Sequence, residues 1–296
     1  MQMKRIIHIG LWILLGSLPA CKKEFTEPVM SRVQFMFDWG KLPPEAQIGE
    51  NMGIRFYAED GQVYDMDGDT TSFNGSLPVG TYQVLLRNKP TPGIGFRGEE
   101  RFETAEAYVS PVSRSAGLVG QPDWLFSAAL ARYEVTEKKV TGLSVTPKPM
   151  VHRITFNVKI TDHREIEAVA GRLLNVASAL NLSTGDPIPS SAGETDIPID
   201  RSGEVFSGAV LVFTVLKQKE GSPDIPDKNL KLDISFADGT EKTVELDISD
   251  QLADLGEETG NGAEVDVDIT PEGVRLEVRI IEWVQGKGPD IPIKNN

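Results

Sequence analysis

The sequence contains a single cysteine and three histidines among 296 residues, and only 7% of it is aromatic. One thiol can neither close an intrachain disulfide nor build a Cys-rich zinc site, so the core must be held by burial and hydrogen bonds. Positive charge is also in deficit. With 30 Lys and Arg against 44 Asp and Glu, the formal charge is −14. A nucleic-acid surface needs a basic patch or stripe, and the chain concentrates none, which excludes polyphosphate partners. What remains is ordinary for a folded protein: 40% hydrophobic and 25% charged residues, which excludes a long disordered or collagen-like chain. The length suits about two domains of 100 to 150 residues.

The amino-terminal segment is the most specific signal. Lys4 and Arg5 precede the apolar run Ile6 to Leu18, followed by Leu18-Pro19-Ala20-Cys21. A charged start, a short apolar stretch and a small residue before the cut make a secretory signal. At about 1.5 Å per residue the run spans about 20 Å, short of the roughly 30 Å hydrocarbon core, so a cleaved signal is expected over a permanent span. Leu-x-Ala-Cys resembles the bacterial lipobox, which predicts cleavage between Ala20 and Cys21 and a covalent lipid on the Cys21 thiol. Two or more acyl chains, at about 0.8 kcal/mol per buried CH₂, would hold a folded domain to a membrane. Loss of Lys4 and Arg5, with no acid lost, leaves a formal charge of −16. Lys22 follows the cysteine, and not the Asp that by analogy retains lipoproteins in the inner membrane, which points to the outer membrane.

Downstream of a lipidated tether at residues 21–31, period-two alternation dominates. Val33, Phe35, Phe37 and Trp39 alternate with more polar neighbours, as do Ile54, Phe56 and Ala58, then Tyr82, Val84 and Leu86, the mark of half-buried strands. The pattern restarts at Val151, Ile154, Phe156, Val158 and Ile160. Leu230 to Phe236, Asp238-Gly239 and Val244 to Ile248 predict a hairpin with a type I′ turn. Closing strands follow at Val265 to Ile269 and Val274 to Ile280. Arg164 to Leu182 is the best helix candidate, although Gly171 and Asn175 leave a strand pair open. The double proline of Thr146-Pro147-Lys148-Pro149 has linker composition. The expectation is a mainly β chain: two tandem antiparallel β-sandwich domains with little helix, at 32–148 and 149–296.

The motifs that carry chemistry are thin. Gly93-Ile94-Gly95-Phe96-Arg97-Gly98 matches a dinucleotide fingerprint in letters, but it follows Pro90-Thr91-Pro92 and opens no helix, so a loop is expected. Asp65, Asp67 and Asp69 offer hard oxygen ligands and are a weak calcium candidate; an EF-hand would need Gly where Thr70 stands and Glu where Ser76 stands. Asp and Gly are also ordinary turn residues. Past the signal, only His152 and His163 are available for acid–base work, and there is no G-x-S-x-G or H-E-x-x-H. His152, beside Arg153, reads as a structural histidine and His163 as an exposed turn residue. Paired carboxylates exist in excess and none is singled out. Trp39 and Trp283 each close an alternating strand and are expected in packing, whereas Trp124 is the tryptophan expected to be partly exposed. Three Asp-Ile-Pro pieces, at 196–198, 224–226 and 290–292, suit sheet edges. Neither catalysis nor a metal or cofactor is expected, apart from the lipid on Cys21.

Together, the lipobox at Cys21, Leu77-Pro78-Val79-Gly80-Thr81-Tyr82 leading into Leu85-Leu86-Arg87-Asn88, the restart Val151-His152-Arg153-Ile154-Thr155-Phe156 and the ending Val278-Arg279-Ile280-Ile281-Glu282-Trp283 resemble the fimbrillin superfamily. These are type V pilus subunits and related lipoproteins of gut and oral anaerobes, and the anchor or minor-fimbrillin branch fits best. The resemblance implies two transthyretin-like sandwiches, export as a lipoprotein, a place in a fimbrium at the cell surface, and association with other fimbrial subunits by strand donation. It also implies that a stalk subunit is freed by cleavage after an arginine near its first strand. Arg32, expected just before the first strand, and Arg55, in the next, are the candidates. The tail from Gln285 carries Gly286, Gly288, Pro289 and Pro292, which break a donor ladder, so an anchoring or capping role is favoured over a stalk. The competing expectation is a stand-alone surface lipoprotein that binds glycan or host protein.

Overall fold

A computed structural model describes residues 27–281, apart from 41, 44, 113–116, 138, 218–227, 253, 254 and 256–261. The signal segment, Cys21, Trp283, the two later Asp-Ile-Pro pieces and the tail therefore lie outside the described residues. The first half of the chain forms β1 (Met30–Phe37), β2 (Asn51–Ala58), β3 (Val63–Asp69), β4 (Ser72–Pro78), β5 (Gly80–Lys89), β6 (Ile94–Arg97), β7 (Glu106–Val109), β8 (Phe126–Val135), β9 (Thr141–Val145) and β10 (Lys148–Pro149). The second forms β11 (His152–Ile160), β12 (Ile166–Ala177), β13 (Ala179–Asn181), β14 (Ala192–Ile197), β15 (Ile199–Ser202), β16 (Val205–Val212), β17 (Leu230–Phe236), β18 (Glu241–Leu246), β19 (Gly262–Thr270) and β20 (Gly273–Ile281). Among the described residues helix is confined to two 3₁₀ turns, Phe102–Thr104 and Pro189–Ser191, and no helix is long and apolar enough to cross a membrane.

The strands build two sandwiches with one topology. In the first, β4-β1-β9 faces β10-β8-β5-β2-β3; in the second, β15-β16-β11-β19-β20 faces β14-β12-β17-β18. Strand for strand, β1, β2, β5, β8 and β9 correspond to β11, β12, β17, β18 and β19, because each set is paired in the same way. Pairing is antiparallel except for β1 with β9 and β11 with β19. Each of these parallel pairs joins strands separated by most of a domain, so no crossover helix is required.

Alternation explains the elements. In β1 the inward Val33, Phe35 and Phe37 are buried, and in β11 so are Ile154, Phe156 and Val158. The segment 164–182 resolves as the strand alternative, in β12 and β13. Val169 and Leu173 face the core with Gly171 between them, where a Cβ would run into Ile197 and Ile199. Asn175 takes a positive φ of 59° beside a bulge between Leu174 and Val176, a conformation Asn tolerates better than most residues. The β17–β18 hairpin forms, but its turn is not type I′. Among the described residues Asn175 is the one non-glycine at positive φ, so Asp238 cannot supply the first left-handed position. Phe236 and Thr240 instead bracket three residues, with Gly239 at φ 80°, the arrangement of a three-residue loop with a bulge glycine.

A third cluster joins the halves. Tyr57 and Leu85 from the outer face of the first domain, Phe102, Ala105, Ala107 and Val109 from the β5–β8 insertion, Val151, and Leu180, Leu182 and Phe213 from the second domain pack together. The same insertion continues a β-ladder across the joint, β6-β7-β13. The proline-rich stretch is itself pinned, with Lys148 and Pro149 paired to Ser127 and Phe126 in β8 and the Met150 N–H bonded to the Leu125 carbonyl at 2.8 Å.

Candidate functional site

The first strand is the feature around which an assembly role would turn. β1 lies between β4 and β9, antiparallel to one and parallel to the other. Its Phe35 is fully buried, with ring centroids 5.8 Å from Phe56, 5.9 Å from Phe73 and 5.1 Å from Tyr133. Burying Val33, Phe35 and Phe37 contributes about 1.5–3 kcal/mol each, so this one strand completes the first core. At its entry the Ser31 hydroxyl donates to the Thr136 carbonyl at 2.8 Å, and Val79 N–H donates to the Val29 carbonyl at 2.8 Å. Tyr133 lies against the strand, and burial pushes its phenol up to about 12.

The arginine expected before the first strand lies inside it. Arg32 is the third residue of β1, exposed and opposite Ser76, because the alternating burial already begins at Ser31, two residues earlier than the apolar letters indicate. The tether accordingly gives up Met30 and Ser31 to the sheet. Arg55 sits in the middle of β2, its backbone flanked by β3 and β5. Its guanidinium bonds Asp65 at 2.6 Å and the Glu99 carbonyl at 3.1 Å. A protease would have to draw Arg55 out of two ladders, and Arg32 out of one sheet.

The three aspartates considered for calcium are not brought together. Asp65 pairs with Arg55, Asp67 with Lys89, and Asp69 accepts from the Thr71 hydroxyl, Thr71 N–H and Ser72 N–H at 2.6–2.7 Å. Those bonds, the Thr71 hydroxyl first, hold the Asp69 carboxyl below its usual range. Among the described residues no group of three or more His, Cys, Asp or Glu converges. The glycine-rich piece is β6 with its flanks. A Cβ at Gly95 would strike the Tyr108 ring, and Gly93 and Gly98 turn the chain at φ 76° and 64°. His152 is buried at the head of β11, and His163 is exposed beside Asp162.

Of the tryptophans, Trp39 packs edge-on to Phe126 at 5.6 Å and donates its indole N–H to the Thr70 carbonyl at 2.7 Å. Trp124 is the correction. It is 5% exposed and stacks on Phe126 at 6.3 Å inside the joint between domains. Its polar neighbours Gln121, Pro122 and Asp123 suggest a loop, but the third core that covers it is assembled from distant segments, so sequence reading missed both the burial and the joint. Asn88, fully buried, ties this region to β8 by donating to the Trp124 carbonyl at 3.0 Å and accepting from Phe126 N–H at 2.7 Å. No local signal identifies it.

The family described as a domain of unknown function, DUF5119, matches residues 20–192, more than half of the chain. A Bacteroides ovatus protein provisionally named fimbrium anchoring subunit Fim4B is 24% identical over 200 residues, which make up 63% of this chain and 60% of that protein. The chain thus spans less than two thirds of that curated relative. Among solved structures, a Bacteroides ovatus protein provisionally described as an adhesin is similar with a TM-score of 0.63 at 20% identity, over 93% of this chain and 100% of the other. The fimbrial anchor protein Mfa2 of Porphyromonas gingivalis has a TM-score of 0.56 at 12% identity, over 86% and 99%. At such identities the likeness of structures speaks for the fold. The match over residues 20–192 decides the family: the chain belongs to the DUF5119 family.

Proposed function

We propose that this protein is a lipid-anchored fimbrial subunit, held at the outer membrane through Cys21 and anchoring or capping a pilus, structural and adhesive in role and without catalysis. The observation that carries the reading is the two-sandwich fold shared along most of the chain with a fimbrial anchor protein, and a relative named for fimbrium anchoring supports it. β1 gives the proposal its mechanism. A single strand that inserts three apolar side chains into an otherwise complete sandwich is the kind of element that one subunit can supply to another, since it gains a main-chain ladder and alternate side-chain pockets together. Here the chain fills that place itself, which suits a subunit that ends a polymer.

The test is the intact mass of the protein extracted from its native membrane, with and without protease shaving of whole cells, alongside its co-purification with fimbrial ladders. An amino terminus at acylated Cys21 on a shaved, ladder-associated protein is the expected result. A lipid-free chain beginning just after Arg32 or Arg55 would overturn anchoring and make the protein a processed stalk subunit.

A further inference from the structure

Among the described residues ten large apolar side chains are exposed, and four of them meet at one corner of the first domain. Val29 is 54% exposed, Met30 52%, Val79 42% and Val140 53%. Val79 N–H donates to the Val29 carbonyl at 2.8 Å, and Met30 stands opposite Pro78 at the end of β4. Val140 is brought alongside because the Ser31 hydroxyl donates to the Thr136 and Lys139 carbonyls at 2.8 and 3.1 Å, after which Thr141 pairs with Val33. The corner is therefore held by ordered backbone. Exposed valines scattered singly need no explanation, but gathered on a fixed corner they mark a contact surface.

The same corner is where the chain enters the fold. Val29 follows Cys21 by eight residues, which at no more than about 3.5 Å each span about 28 Å at full stretch. A lipid on Cys21 keeps the corner within that distance of a bilayer. The second domain starts at the opposite end of the first. β8 spans the distance between Val135, opposite Gly80 at this corner, and Phe126, opposite Pro149 where the chain crosses over. Its ten residues cover about 30 Å. Charge does not draw the corner to a membrane. Glu27 and Glu137 border it as well as Arg32 and Lys139, and the chain from Cys21 onward carries a formal −16. The acidic turn Glu59-Asp60 belongs to the other sheet, beyond β5. What the corner offers is an apolar contact.

We propose that Val29, Met30, Val79 and Val140 seat the first domain on the bilayer that holds the Cys21 lipid. Their side chains enter the boundary between headgroups and acyl chains, and the second domain is directed away from the membrane. Four side chains of this size are a weak contact on their own. With the lipid already at the surface the contact becomes intramolecular, so its effective concentration is high and a weak contact suffices. The lipid alone limits how far the body can stand from the membrane; the seat fixes which way it points. Lipid covers only the corner. A protein packed on the outer face of β4, β1 and β9 would also cover Met36, six residues along β1 from Met30 and about 20 Å away. This orientation rests on the lipid-anchored reading and names the surface that meets the membrane.

The native methionines report the contact. The chain from residue 21 onward is coupled through its single thiol, Cys21, to a maleimide phospholipid in phosphatidylcholine vesicles. Methionine oxidation by the polar oxidant chloramine-T is then mapped by mass, against the uncoupled chain mixed with the same vesicles. Met30 is expected to oxidise more slowly by about fivefold or more when coupled. Met36, 61% exposed on the same strand, keeps its rate, and the buried Met52 hardly reacts in either sample. Protection of Met30 persists in about 1 M salt and is lost in the double variant Val79→Lys, Val140→Lys with the thermal midpoint unchanged. Equal Met30 rates in the two samples, protection that disappears in salt or survives the double variant, or Met30 already slow in the uncoupled chain would each overturn the proposal. Met30 and Met36 slowed together would overturn it in favour of a second copy packed on the whole face. Coupling supplies the lipid whatever the cell does, so this outcome and the membrane-mass result are read independently.

Discussion

Truncating Phe35 to alanine probes the strand on which the proposed role depends. The side chain is fully buried and touches the rings of Phe56, Phe73 and Tyr133. Transfer of a phenyl group accounts for about 1.5–3 kcal/mol, and the cavity left between two rigid sheets raises the cost of Phe35→Ala to about 3–5 kcal/mol. Part of that is the ring contacts, worth about 0.5–1.5 kcal/mol each and not additive within one cluster. If the third core makes both domains unfold as one unit, each kcal/mol lowers the midpoint by about 2–4 °C, so the midpoint falls by about 6–20 °C. Met36, the next residue along, points outward at 61% exposure, and Met36→Ala changes stability by less than about 0.5 kcal/mol. Urea unfolding followed by tryptophan fluorescence and circular dichroism reads both variants. A cost below about 1 kcal/mol for Phe35→Ala, or similar costs for the two neighbours, would refute the placement of β1 in the core.

Three further outcomes are expected. Burial holds the phenols of Tyr57, Tyr82 and Tyr133 up to about 12, while unfolded tyrosine ionises near about 10; absorbance titration should show these three un-ionised at pH 11, and stability should decline as pH rises from about 10 toward 12, where only the unfolded chain gains by ionising. Asp162 accepts from the Arg164 guanidinium at 2.8 and 3.0 Å, and that bond holds its carboxyl well below the carboxylate range; its stabilisation is present above about pH 4 and lost as pH falls toward the folded value, so Asp162→Asn should flatten the acid limb of a stability profile and leave it unchanged in shape above pH 5. Gly239→Ala should cost about 1–2 kcal/mol in denaturant unfolding, since its Cβ meets nothing within 4 Å and the penalty comes from the backbone at φ 80° alone; an unchanged midpoint would mean that the hairpin adopts another turn.

Strand positions were legible because alternation is a local property: Val33, Phe35 and Phe37, or Ile154, Phe156 and Val158, announce a buried face wherever the sheet partner comes from. The ambiguity at 164–182 was also local, since Gly171 and Asn175 suit neither a helix interior nor an ordinary strand, and it was settled by Ile197 and Ile199 packing close to Gly171. Asp238-Gly239 marked the hairpin but not its turn, because register is set by the pairing of Phe236 with Thr240. Trp124 was misjudged for the same reason on a larger scale: what buries it arrives from β5–β8 and from beyond residue 150.

By itself, then, the sequence determined the mainly β class, the restart near residue 150 and the absence of any motif that assembles nucleophile, base and orienting group, since composition and period-two patterning carry those directly. Only the tertiary structure decided that the halves share a third core and a continuous ladder, that Arg32 lies within β1, and that Asp65, Asp67 and Asp69 are spent on separate partners. Each of these depends on which distant segments meet. Alternation fixes which face of a strand is buried, but not which strand lies beside it.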